Sequence, residues 1–325
     1  MTAALPIERI AELSRDVLDR VTDVVVDMKT PLELALATVL AGGHVLFEDV
    51  PGLGKTLAAR SLAAALGLDF RRIQCTPDLL PSDITGSFVY APSSGEFVFR
   101  PGPLFAGLVL ADEINRTTPK TQSSFLEAMA EGHVTVEGSH FELPSPFHVI
   151  ATSNPIEFEG TYALPEAQLD RFMVRLSVGY LSPENEQRML MSRAHRRHDA
   201  AQIEPVVDAD TLLAMQGGVE AVHVDPDIAR YCVDLAVATR RDQSVQVGAS
   251  PRGSQGLMLV ARAVAVMAGR DYVTPDDVKR VAVPVLAHRL SLTPQAWANG
   301  VQAEHIVAGV LGAVPGPPTV RATAE

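Results

Sequence analysis

The run Leu46-Phe47-Glu48-Asp49-Val50-Pro51-Gly52-Leu53-Gly54-Lys55-Thr56 constrains this 325-residue chain more than any other segment. An apolar strand feeds a glycine-bearing turn and then a helix, the arrangement that presents backbone N–H groups and a lysine to nucleotide phosphates. Gly52 and Gly54 let the turn take backbone angles that a side chain would resist, so successive N–H groups converge on one anion. Lys55 adds a positive charge for the β and γ oxygens, and the Thr56 hydroxyl suits Mg²⁺. The helix expected from Lys55 to about Leu66 points its partial positive charge at the same place. The residues expected to hold the nucleotide are therefore Asp49, Val50, Pro51, Gly52, Leu53, Gly54, Lys55, Thr56 and Leu57. The usual spacing, Gly-x4-Gly-Lys-Ser/Thr, has glycine where this chain has Asp49. Aspartate tolerates unusual backbone angles better than most residues, so the loop is expected to survive. The run predicts a user of ATP or GTP; a glycine-rich turn without a ligand is the alternative on this segment alone.

Charge narrows the partners. Counting 27 basic against 39 acidic residues gives 27 − 39 = −12, which argues against a surface built mainly for nucleic acid and leaves room only for a small basic channel. No uncharged run approaches bilayer-spanning length, and Met1 to Arg15 lacks the basic start and apolar block of a secretory signal, so a cytoplasmic protein without a membrane span is expected. Cys75 and Cys232 fit no metal-ligand spacing and read as buried free thiols.

Two amphipathic helices open the chain, about Ile7 to Val21 and Pro31 to Ala41, the second with Thr30 as its cap. Short strands then alternate with helices: His44 to Glu48, Phe70 to Cys75, Leu108 to Ala111, Phe147 to Thr152 and Met173 to Ser177, with a helix at Pro119 to Glu131. That rhythm predicts an α/β fold, a five-stranded parallel sheet with helices on both faces, and ligands at the carboxyl ends of its strands. Two hairpins interrupt it, Ser87–Tyr90 with Glu96–Arg100 and His133–Val136 with His140–Leu143. After Leu181 helices dominate, at Pro183 to Arg197, Asp208 to Gly217, Pro226 to Arg241, Ser254 to Gly269 and Pro275 to His288. The expected division is an α/β core over 1–181, an all-helical domain over 182–313 and a disordered tail over 314–325.

Two strand ends carry candidate chemistry. Gly107-Leu108-Val109-Leu110-Ala111-Asp112-Glu113 is an apolar strand ending in two carboxylates, Asp112 for the Mg²⁺ shell and Glu113 to polarise an attacking water. Alone, such a pair reads as a helix cap; behind a P-loop it favours catalysis. The strand Phe147 to Thr152 ends at Ser153-Asn154-Pro155, where Asn154 either holds that water or makes an Asn-Pro turn.

These elements, in this order, resemble the AAA+ ATPases. The strings Gly42-Gly43-His44-Val45-Leu46, Asp112-Glu113-Ile114-Asn115-Arg116, Glu127-Ala128-Met129-Ala130-Glu131-Gly132, Ala151-Thr152-Ser153-Asn154-Pro155 and Leu164-Pro165-Glu166-Ala167-Gln168-Leu169-Asp170-Arg171-Phe172 are similar to the MoxR family within them, over about residues 20 to 310. The resemblance implies a P-loop AAA+ core with a C-terminal helical lid. It makes Asp49–Thr56 the Walker A motif, Asp112 and Glu113 Walker B, and Asn154 sensor 1. Arg171 becomes an arginine finger acting in trans, or a surface arginine paired with Asp170 or Glu166. Arg252 becomes sensor 2, in cis or in trans, or a helix-start cation. The hairpins become the helix-2 and pre-sensor-1 inserts facing the pore of a homo-oligomeric ring, expected to be a hexamer. The resemblance further implies ATP and Mg²⁺ as cofactors and remodelling or maturation of a client, a von Willebrand A domain protein or one receiving a metal cofactor. The family's glycine after Val24-Val25-Val26 is Asp27 here, so no adenine contact is assigned.

Two other readings stay open. A nucleic-acid motor or enhancer-binding activator fits the scaffold, against the net charge and the missing Gly-Ala-Phe-Thr-Gly-Ala loop. A nucleotide-gated scaffold that scarcely hydrolyses has no need of Glu113. Arg71-Arg72 read as structural or interfacial, His195-Arg196-Arg197-His198 as a solvated basic face, and Trp297 as lid core.

Overall fold

The computed structural model of the chain describes residues 4–155, 160–196 and 203–318. Helices α1 (Ile7–Thr22) and α2 (Lys29–Leu40) lead into β1 (Val45–Glu48), α3 (Lys55–Ala65) and β2 (Phe70–Gln74). A single turn, α4 (Pro81–Thr85), opens the first hairpin, β3 (Gly86–Ala91) and β4 (Glu96–Pro101). Next come β5 (Leu108–Asp112), α5 (Pro119–Glu131), the second hairpin of β6 (His133–Val136) and β7 (Ser139–Glu142), then β8 (His148–Ser153), α6 (Glu166–Leu169) and β9 (Val174–Leu176). The sheet order is β2-β5-β8-β1-β9 and every pairing is parallel. Strands β5 and β8 are buried throughout, which is why they read as unbroken apolar runs.

Residues alternate between two cores across this sheet. Val45 and Phe47 of β1 join a cluster that holds Ile10, Val17, Leu32, Leu36 and Leu62, while Leu46 faces Val149, Phe125 and Phe172 under α5. The first cluster runs on into the helices after the sheet without a break, through Val260, Val264 and Val281.

Those helices are α7 (Pro183–Arg196), α8 (Ala209–Glu220), α9 (Pro226–Thr239), α10 (Pro251–Met267) and α11 (Pro275–Leu286). A small ribbon, β10 (Val245–Val247) with β11 (Ser291–Leu292), and the helices α12 (Pro294–Ala298) and α13 (Ala303–Ala313) complete them. Asp208, Asp225, Ser250, Thr274 and Thr293 each accept a first-turn N–H, and proline follows four of them. Helix α10 starts at Pro251, three residues before the expected start at Ser254, which puts Arg252 in its first turn.

Several expectations are corrected. Helix α2 begins at Lys29 and Thr30 is no cap; Pro31 falls in the first turn, where its missing N–H has no partner to lose. The turn ahead of it is made by Asp27 at φ 61°, so the residue standing in place of the family glycine adopts the glycine-like conformation. Trp297 is 76% exposed, because α12 is barely more than one turn and buries Ala296 instead. Val314 packs on the main core and Gly316 lies against Pro275 and Tyr231, so the chain stays docked at least that far. Residues 319–325 and the side chains of His195 to His198 lie outside the described residues.

The hairpins pack on one another. Phe99 of β4 stacks on Phe141 of β7 with ring centroids 3.7 Å apart, and Phe88 closes the group. Cys75 and Cys232 are buried free thiols, both pushed up to about 12 by burial. Among the described residues no helix is long and apolar enough to cross a membrane.

Two buried histidines seat the amino end of β1. His44 Nδ1 accepts from Val149 N at 3.0 Å, so its Nε2 donates to Met129 O at 3.1 Å. His148 Nδ1 donates to Gly43 O at 3.0 Å and its Nε2 accepts from Gln216 at 3.1 Å. Both are neutral, held down to about 4 by burial, with His148 adding to the effect on His44.

Candidate functional site

The P-loop leaves the carboxyl end of β1 and ends where α3 begins. Gly52 and Gly54 hold φ of 85° and 81°, with open space where a Cβ would stand, so the requirement is backbone conformation and not room. Gly54 is the cap residue of α3, which directs that helix's first N–H groups into a cleft of about 250 Å³. Lys55 lies folded into the loop, its Nζ donating to Asp49 O at 2.6 Å and Val50 O at 3.1 Å. Burial lowers its pKa against the opposing pull of Asp49, Asp112, Glu113 and Glu48.

The β5 and β8 ends supply the opposite wall. Thr152 Oγ1 donates to Asp112 Oδ1 at 2.7 Å and accepts from Glu113 N at 2.8 Å, so one buried hydroxyl orients both acidic residues. Asp112 Oδ2 accepts from Thr56 Oγ1 at 3.3 Å, a pair of hard oxygens suited to Mg²⁺. Glu113 itself sits at φ 59°, and its Oε2 accepts from Gln74 at 3.1 Å and Arg116 at 3.0 Å. Asn154 is buried at the end of β8 and lines the same cleft. Of the sequence candidates, Pro51, Gly52, Leu53, Gly54, Lys55, Thr56, Asp112, Glu113 and Asn154 are thus brought together.

Three candidates stand aside. Leu57 packs toward the main core, and Asp49 and Val50 border a neighbouring cavity near Arg175, Val178 and Pro284. Asp49 is not among the described non-glycine residues with positive φ, so its tolerance of unusual angles is not what the position uses. Its carboxylate clamps the strand exit instead: Oδ2 accepts from Val178 N and Gly179 N, each at 2.7 Å, and from Ser177 Oγ at 3.0 Å, while Oδ1 accepts from Val50 N at 2.8 Å. Burial raises its pKa, and these hydrogen bonds outweigh that and hold it below the usual carboxylate value.

Arg171 and Arg252 lie elsewhere. Both line a second cleft of about 330 Å³ with Gly43, His44 and Arg289. His44 precedes β1, whereas the P-loop follows it, so this cleft lies at the opposite end of the sheet from Lys55. Arg171 Nη1 donates to Leu126 O, and the Asp170 carboxylate goes to Arg289 Nε at 2.8 Å and Ser250 Oγ at 3.0 Å. Of the two expected alternatives for Arg171, pairing with Asp170 or with Glu166, the Asp170 carboxylate is taken by Arg289 and Ser250.

Sequence reasoning gave Arg72, Gln74, Thr152 and Arg289 no role in the site and named Asp170 only as a possible partner for Arg171. Thr152 alone carried a signal, as a hydroxyl two residues before Asn154 on a buried strand. Arg72 is not merely structural, since it lines the P-loop cleft and pairs with Asp112 at 2.7 Å.

Comparison with known proteins agrees with this fold. Residues 44–174 match the model of the ATPase family associated with various cellular activities (AAA), and residues 237–310 match the AAA lid domain. The chain is 50% identical to the Bacillus subtilis protein YeaC over 91% of its own length and 92% of that protein's. A candidate ATPase from Cytophaga hutchinsonii has the same fold in its crystal structure, with a TM-score of 0.89, 38% identity, and coverage of 96% of this chain and 97% of that one. Chaperone MoxR1 of Mycobacterium tuberculosis is 43% identical, over 90% of this chain and 79% of its own length. With the P-loop, both acidic residues and the lid all present, this chain belongs to the MoxR family of AAA ATPases.

Proposed function

We propose that the protein is an Mg²⁺-dependent ATPase that works as a homo-oligomeric ring, converting ATP and water to ADP and phosphate. The observation that carries the reading is the separation of one catalytic set over two surfaces. Lys55, Thr56, Asp112, Glu113 and Asn154 share the P-loop cleft, while Arg171 and Arg252 share a cleft at the far end of the sheet. That separation supports a trans role for both arginines, on the ATP held by a neighbour.

Each residue then has a task. The P-loop amides and Lys55 bind the phosphates, Asn154 orients the attacking water, and the Glu113 carboxylate accepts its proton. Thr56 and Asp112 would hold Mg²⁺, which would supply charge neutralisation to the phosphates. The neighbour's Arg171 and Arg252 stabilise charge on the transferring phosphoryl group, an effect worth on the order of 10³ to 10⁵ in rate for a trans-acting arginine.

The ring remodels or matures a client protein in the cytoplasm, in keeping with the chaperone name of the mycobacterial relative. A von Willebrand A domain protein, or one receiving a metal cofactor, is the client class this reading favours. A hexamer is the ring size proposed, with residues 1–181 as the core and 182–313 as the lid. Turnover per subunit measured against subunit concentration tests the reading. It should rise steeply on assembly in the native protein and stay flat in Arg171→Ala; concentration-independent turnover in both would end it.

A further inference from the structure

Asp170 stands between the two arginines. It closes α6, directly precedes Arg171, and commits each carboxylate oxygen to a different partner. Oδ1 accepts from Arg289 Nε at 2.8 Å, and Oδ2 accepts from Ser250 Oγ at 3.0 Å. Ser250 is the cap of α10, and its Oγ also accepts from Arg252 N at 3.1 Å. One carboxylate is therefore joined on one side to the backbone that carries Arg171 and on the other to the helix turn that carries Arg252.

Arg289 makes the joint rigid. Its side chain is only 3% exposed, and its remaining donors go to Phe172 O at 2.8 Å, Met173 O at 3.2 Å, Asp170 O at 3.3 Å and Val285 O. These acceptors belong to the stretch Asp170–Met173 ahead of β9 or to α11, and Nη1 also meets the adjacent His288 Nε2 at 2.9 Å. With its hydrogen-bonding capacity used inside its own subunit, Arg289 braces the cleft and is not a third arginine for phosphate. A buried guanidinium also needs a carboxylate beside it, so the position cannot take a neutral residue without cost.

We propose that Asp170 is a positioning residue that locks Arg171 and Arg252 into one two-arginine unit presented to the neighbouring subunit. The inference rests on the trans reading of those arginines. Removing the carboxylate frees the finger segment and the α10 cap together. A displacement of about 1 Å at such groups costs roughly 100-fold in rate without touching nucleotide binding in the same subunit.

Subunit mixing separates this role from folding and from a role at the subunit's own P-loop. Asp170→Asn alone should lose turnover about 100-fold while its affinity for a fluorescent ATP analogue changes less than about twofold. Lys55→Ala alone is inactive because it cannot hold the phosphates. Mixed one to one, the two should recover about a quarter of native turnover, the share of interfaces joining an intact P-loop to an intact arginine pair. Arg171→Ala mixed with Lys55→Ala is the reference. Recovery in the reference but not with Asp170→Asn overturns the proposal and leaves the trans reading standing. No recovery in either mixture ends both, and full turnover by Asp170→Asn alone also overturns the proposal. If Asp170→Asn does not yield folded protein, Ser250→Ala replaces it, removing one arm and leaving the Arg289 pair. Its turnover should fall about tenfold and recover on mixing, and an unchanged rate overturns the proposal.

Discussion

The guanidinium of Arg72 rests on a single oxygen of Asp112, Oδ2, with Nε at 2.9 Å and Nη2 at 2.7 Å. Thr56 Oγ1 approaches that same oxygen at 3.3 Å, so a protein cation is drawn to the carboxylate proposed for Mg²⁺. Arg72→Met should let Mg²⁺ compete less and lower the half-saturating Mg²⁺ concentration roughly fivefold, the equivalent of ~1 kcal/mol for a part-exposed ion pair. A magnesium titration of fluorescent-nucleotide binding measures this directly. An unchanged or raised requirement would show that Arg72 does not oppose the metal.

Glu113→Gln should separate binding from chemistry. The amide keeps the shape and an oxygen for Gln74 and Arg116, but it cannot take a proton from water. Turnover should drop by about 10²–10⁴, as for loss of a general base, with nucleotide affinity nearly unchanged. Phosphate release and a binding isotherm on the same sample decide it, and full turnover would remove Glu113 from the mechanism.

Restoring the usual loop residue at position 49 should harm the protein. Asp49→Gly keeps the P-loop backbone free but removes four acceptor contacts, three of them to Ser177, Val178 and Gly179. The expected loss is ~2 kcal/mol, since several of these bonds are charge-assisted amide contacts and the site is only partly buried. Urea denaturation should show a lower midpoint, with faster proteolytic cutting near Tyr180. An unmoved midpoint would mean that the clamp contributes nothing.

Stability should fall in mild acid. His44 and His148 titrate at about 4 in the folded chain, against 6.5 for the free side chain. The unfolded chain therefore binds more protons between those values, so stability is complete above pH 6.5 and declines as pH falls toward 4. By pH 5 the loss is on the order of 2 kcal/mol per histidine. Denaturation at pH 7.5 and pH 5.0 tests the slope, and His148→Gln should flatten part of it. Equal stability at both values would contradict the neutral pair.

The sheet was legible because its strands are buried on both faces, which leaves unbroken apolar runs between helices. The P-loop, Asp112, Glu113 and Asn154 were legible because each sits at a strand end with a spacing of its own. Arg72 was not, because its partner is set by parallel register: Gln74 lies opposite Asp112, so Arg72 reaches it diagonally along the ladder. Asp170 and Arg289 are 119 residues apart, and no local pattern joins a residue closing one short helix to a 3-10 turn after another. Two helix starts were misplaced for different reasons. At α2 a proline fits any of the first-turn positions, so Pro31 did not mark the cap; at α10 the Ser250-Pro251 signal was in the sequence, and Ser254 was placed one turn too late.

Glu113 holds φ 59°, a left-handed backbone that costs a residue with a side chain about 1–3 kcal/mol. A glycine there would relieve it. Glu113→Gly should therefore melt about 1–3 °C higher than the native chain while hydrolysing nothing, if ~1 kcal/mol survives the loss of the Gln74 and Arg116 contacts. Selection for thermal resilience alone would erase this carboxylate, so its presence in so awkward a posture fits the catalytic role proposed for it.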